Sequence, residues 1–206
     1  MGGKAMRTNR GIAIVVGVLF FAATISYAVG NALITSALKA PDALSNPNFS
    51  QIRIGVLLEL LDAAAVVGIG LLLFLILRKY SGGMARGYAG SRIIEAVVII
   101  VSALSAPLLL TLTVYDLAFQ IAMIALGAGS LLLCYVLYKF RLVPRALSVL
   151  GFVGYIAIFA YALLEIFGQN IGLVLFAPGA IFEIAFPLWL IVKGFNEPAG
   201  TARSVT

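Results

Sequence analysis

Six stretches of almost unbroken apolar residues, separated by short polar interruptions, run the length of this chain. They fall at about 11–38, 52–78, 88–114, 117–138, 146–168 and 171–194. Each exceeds the ~20 residues that a helix rising ~1.5 Å per residue needs to cross ~30 Å of hydrocarbon. The first run is too long for a signal-peptide core and no cleavage site follows it, so it reads as a retained first helix. The pattern predicts an all-α fold, a polytopic membrane bundle of six transmembrane helices, with residues 1–206 forming a single integral membrane domain.

The polar interruptions carry most of the charge, and its distribution alternates. Lys4, Arg7 and Arg10 precede the first run. Arg78, Lys79, Arg86 and Arg92 follow the second, Lys139, Arg141 and Arg145 follow the fourth, and Lys193 and Arg203 follow the sixth. Only Lys39 and Arg53 belong to the other side, so twelve of the fourteen basic residues share one side. The positive-inside rule makes that side cytoplasmic, and both termini with it. The location expected is the cell membrane. The net charge of +6 therefore reads as a topology signal, and no nucleic-acid partner is implied.

Two interruptions have some length. KAPDALSNPNFSQ, after the first run, contains Pro41 and Pro47, and its Asn48-Phe49-Ser50 matches a glycosylation acceptor that reads as chance. SGGMARGYAGS, residues 81–91, is glycine-rich and basic. It lacks the Gly-Lys-Ser/Thr ending of a phosphate-binding loop, so it is expected to be a flexible linker near anionic headgroups. Within the runs, Gly151, Gly154, Ala157 and Ala160 recur every three residues along the fifth, as helix-packing surfaces in lipid do. Tyr115, Tyr135 and Tyr138 sit at run ends and read as interfacial anchors, as does Trp189.

Composition narrows the chemistry. Hydrophobic residues make up 63% of the chain and charged ones 11%, against about 25% charged in a soluble domain. There is no histidine and a single cysteine, Cys134. That excludes an intramolecular disulfide, makes haem and zinc unlikely cofactors, and removes the commonest general base. Carboxylates alone suit hard cations, but no ligand-spacing signature is present.

Three separated segments resemble a known family. They are Arg92-x-x-Glu95 opening the third run, Leu142-Val-Pro-Arg-Ala-Leu-Ser148 entering the fifth, and Phe182-Glu183 leading to Trp189-Leu-Ile-Val-Lys193-Gly-Phe195. In this order they resemble the prokaryotic six-helix membrane proteins grouped as domain of unknown function 4386. The resemblance implies an integral membrane protein of six helices. It carries no established activity and no catalytic residue.

The chemistry must come from acids inside the runs: Glu59, Asp62, Glu95 and Glu183, with Glu165 near a run end. A carboxylate at mid-membrane costs ~2.5 kcal/mol or more on insertion scales. Glu183, in PGAIFEIAFPLWLIVKGF and flanked by Pro178 and Pro187, lies near the middle of a run from about Ile171 to Lys193 that is expected to form one helix of about 23 residues. Gly172 and Gly179 add to the signs of a broken or kinked element. Glu59 and Asp62 are three residues apart and share a helix face, as do Arg92 and Glu95. Ser102 and Ser105 continue roughly the Glu95 face.

Arg92 is the one base clearly inside, and it has two candidate partners, Glu95 and Glu183. Four acids against one base leave carboxyls that must be protonated or share a cation. The leading reading is a site for a small ligand, proton or cation centred on Glu183, with Glu95, Arg92, Asp62 and Glu59, and a cavity beside Glu183. Two alternatives stand beside it: an accessory or scaffold subunit of a larger membrane assembly, and an acid-dependent intramembrane enzyme. Expected partners are the bilayer, a small molecule or cation, and a membrane-protein partner or second copy.

Overall fold

A computed structural model describes residues 2–40, 45–169 and 173–196, with only the backbone given for residues 2–8 and 173. Pro41, Ile171, Gly172 and Arg203 lie outside the described residues. The described residues form six long helices and no strand: α1 (Gly2–Leu38), α2 (Phe49–Leu77), α3 (Gly82–Leu109), α4 (Leu112–Lys139), α5 (Arg145–Ile166) and α6 (Ala177–Val192). All six segments are long and apolar enough to cross a membrane. Their outer faces carry exposed Val18, Ile25, Leu57, Val97, Ile156 and Ile184, which is the arrangement that lipid rather than water requires.

Each helix packs on its neighbours in sequence, and α6 packs back on α1, so the bundle closes into a ring in chain order. The seams that α6 makes with α1 and α5 are the thinnest. They rest on backbone proximity. A Cβ on Gly154 of α5 would come within 2.6 Å of the Gly179 Cα, and one on Gly17 of α1 within 2.8 Å of the Pro187 carbonyl oxygen. The ring is clasped at one end by Arg10. Its Nη1 donates to the Leu190 carbonyl at 3.1 Å, and its Nη2 to those of Ile191 and Val192 at 2.7 and 2.9 Å. These are carbonyls that a helix C-terminus leaves without partners. Exposed Arg78, Lys79, Arg86, Lys139, Arg141, Arg145 and Lys193 surround the same end.

Three elements depart from the expectations above. The segment 81–91 is no linker, since α3 begins at Gly82 and its first turns bury Ala85 and Tyr88 completely. Burial of those two side chains outweighs the unfavourable helix propensity of the glycines. In consequence α3 runs out at Leu109, and α4 starts at Leu112, earlier than hydropathy placed them. The sixth run is not one continuous helix. A 3₁₀ turn, Leu173–Phe176, precedes the 16 residues of α6. Pro178 has no amide to donate and is accommodated without loss in the first turn of a helix, and the α-helical ladder begins just before it.

Candidate functional site

Near mid-height the ring encloses a cavity of about 180 Å³ to which all six helices contribute. Its polar wall is Asp62 from α2, Arg92 and Glu95 from α3, Glu183 from α6, and Thr24 and Tyr27 from α1. Phe20, Phe119, Met123 and Phe176 supply much of the apolar wall. The residues come together because each lies close to the centre of its helix, so the inward-turned polar positions meet at one depth.

Arg92 makes its ion pair along its own helix. Nη1 reaches the Glu95 Oε2 at 2.9 Å and Oε1 at 3.1 Å, and Nε donates to the Tyr88 hydroxyl at 3.0 Å. The guanidinium lies 5.3 Å from the Tyr88 ring centroid and 5.8 Å from that of Phe20, both within cation–π range. Nη2 is buried and has no hydrogen-bond partner. Of the two partners open to Arg92 from sequence, Glu95 is the one taken, because the i,i+3 spacing brings it alongside without any contact between α3 and α6.

That pairing leaves two acids over. Asp62 is 4% exposed, lines the cavity, and has no hydrogen-bond or ion-pair partner among the described residues. Glu183 also lines the cavity and is only half-buried. Its near neighbour is the Tyr155 hydroxyl, itself buried without a closed hydrogen bond. Pro187 removes the amide that would otherwise bond the Glu183 carbonyl four residues back, so this residue is short of partners in backbone as well as side chain.

Glu59 does not join this group. Although it shares a helix face with Asp62, it accepts a hydrogen bond from the Tyr115 hydroxyl, which in turn accepts from the Asn31 Nδ2 at 2.9 Å. Tyr115 is no interfacial anchor: it is 1% exposed and packs with Ile34, Ile52 and Ala103. Ser102 donates to the Tyr115 carbonyl at 3.0 Å and Ser105 to the Ser102 carbonyl at 2.7 Å, so these hydroxyls brace the second cluster and leave the cavity alone. Tyr135 and Tyr138, by contrast, are exposed near the basic end. Sequence reasoning missed Tyr115, Tyr27 and Tyr155. An aromatic ring at a span end reads as an anchor, and the only available signal was that Tyr115 and Glu59 lie at similar depth.

Aromatic rings flank the cavity. On the side of the basic end Phe20 lines it and begins an unbroken run of ring contacts through Phe186 and Phe182 to Tyr155, with centroids 5.5, 5.0 and 5.4 Å apart. Toward the other end, Tyr27 stacks on Phe119 across the bundle at 5.2 Å, and the Asn31–Tyr115–Glu59 chain lies beyond. No group of three or more metal-ligating side chains occurs among the described residues.

A ring of six transmembrane helices around a buried polar cavity defines a polytopic α-helical membrane protein. Residues 15–114 and 105–194 match the sequence model of the family described as Domain of unknown function (DUF4386), and the chain belongs to that family. Neither the curated proteins nor the solved structures include a match to it.

Proposed function

We propose that this protein binds, and passes across the membrane, a small cationic ligand or cation held in the mid-membrane cavity between Asp62 and Glu183. The observation that carries this reading is Asp62, a buried acid that lines the cavity and makes no hydrogen bond or ion pair among the described residues. An unpaired carboxylate in such surroundings is costly to keep ionised; a proton or a bound cation relieves it, and the cavity beside Asp62 gives a cation room. The Arg92–Glu95 pair is internally neutral, so the cavity retains two acids for the cargo. Aromatic rings on its walls add attraction for an ammonium group.

The basic end of the bundle faces the cytoplasm in this reading, with both termini there and the protein in the cell membrane. Labelling of single cysteines at positions 86 and 48 from each side checks that orientation; reaction of position 86 from outside overturns it.

The binding reading is tested by thermal shift of the purified protein against Na⁺, K⁺, methylammonium and choline. Ligand that binds only the folded state raises Tm with concentration. At least one of these cations is expected to do so, and Asp62→Asn is expected to remove the rise while Arg86→Ala leaves it. An unchanged Tm with every cation, in detergent and in nanodiscs alike, sinks the proposal.

A further inference from the structure

We infer that the cargo enters sideways from the bilayer, through the cleft between α1 and α6, and is an amine that partitions into lipid and leaves its apolar tail in that cleft. This rests on the reading of Asp62 and Glu183 as partners of a cation. Along the bundle axis the cavity is flanked by aromatic side chains. On the basic side Phe20 lines it and is 3% exposed, and its ring packs on the completely buried Phe186. The Tyr27–Phe119 stack and the Glu59–Tyr115 cluster lie on the other side.

The lateral wall is different. From Arg10 through Gly17 to Phe20, α1 is held against α6 by the carbonyl clasp, the Gly17–Pro187 approach and the Phe20–Phe186 edge contact. Beyond Phe20 no hydrogen bond, ring contact or close glycine approach joins these two helices among the described residues. There Thr24 and Tyr27 on α1, and Ala180 and Glu183 on α6, all line the cavity and are all less than fully buried, Ala180 being exposed. On the opposite flank of α6, the backbone approach of Gly154 to Gly179 leaves no comparable gap. Cavity-lining residues that also reach the outer surface mark where inside and outside connect.

Size fixes the class of ligand. An engineered apolar cavity of ~150 Å³ takes a benzene molecule, so 180 Å³ holds an ammonium head and a few carbons. A longer chain fits only if the cleft lets it out into lipid.

The test is a series of primary n-alkylamines, from methylamine to decylamine, binding to the protein in nanodiscs, with Asp62→Asn as the reference for non-specific effects. Lateral access predicts that the Kd referred to aqueous ligand falls about fourfold per methylene throughout the series. Ala180→Trp, and independently Thr24→Trp from the opposite bank, are expected to abolish binding of octylamine and decylamine. Affinity that collapses once the chain outgrows the cavity, or binding indifferent to both tryptophans, overturns lateral access and leaves the cation site standing. Failure of every amine and every inorganic cation to bind overturns the cation site itself.

Discussion

Two polar clusters lie a few turns apart inside the same bundle, and they are built on opposite principles. In the Asn31–Tyr115–Glu59 chain every member has a partner, with Ser102 bonding the Tyr115 backbone as well. Around the cavity, Arg92 and Glu95 pair with each other, while among the described residues the Arg92 Nη2 has no hydrogen-bond partner and Asp62 makes no hydrogen bond or ion pair. An acid that is fully bonded within the protein stabilises helix packing and asks nothing of a ligand. An acid left without a partner costs stability unless it is protonated or meets a ligand, and the proposed function supplies that ligand. Burial alone, nearly equal for Glu59 and Asp62, does not separate the two roles.

The largest expected effect falls on the satisfied pair. Arg92→Ala leaves Glu95 without its base and is expected to destabilise the protein by about 2–4 kcal/mol, more than Glu95→Gln, which keeps an acceptor for the guanidinium. Thermal unfolding in one detergent ranks the two, and the reverse order breaks the assignment of Arg92 to Glu95. Next comes Tyr115→Phe, which removes one hydroxyl and with it the bonds to Glu59 and Asn31. A loss of about 1 kcal/mol is expected, as for hydrogen bonds between membrane helices, with cation binding unchanged. If Tyr115→Phe instead abolishes binding at constant stability, the division between a structural and a functional cluster is wrong. The smallest effect on folding is expected from Asp62→Asn, within about 0.5 kcal/mol of wild type or slightly stabilising, because no partner is lost. A loss of several kcal/mol there would make Asp62 a structural residue.

The six helices were largely legible from the chain, because six apolar runs defined them; the packing of α6 back on α1 was not. What else was not legible depended on how each helix is rotated about its axis. Hydropathy cannot say whether Tyr115 turns toward Glu59 or toward the headgroups, since the ring suits both. Nor can it choose between Glu95 and Glu183 for Arg92, because that depends on whether α3 and α6 touch. The segment 81–91 misled for a different reason. Its glycines advertise a linker, but Ala85 and Tyr88 bury their side chains and hold the backbone helical. Pro178 did announce the break before α6, though the length of the apolar run obscured it.

The clasp at Arg10 bears on how the protein is made. Its first acceptor, the Leu190 carbonyl, lies 180 residues further along the chain. At about 5–20 residues per second, a ribosome delivers that partner roughly 10–40 s after Arg10 itself. Through that interval the first helix waits in the membrane with its inward face toward lipid or toward whatever protein attends insertion. Glu183 arrives only with α6, so the cavity acquires that wall after the other five helices have been made.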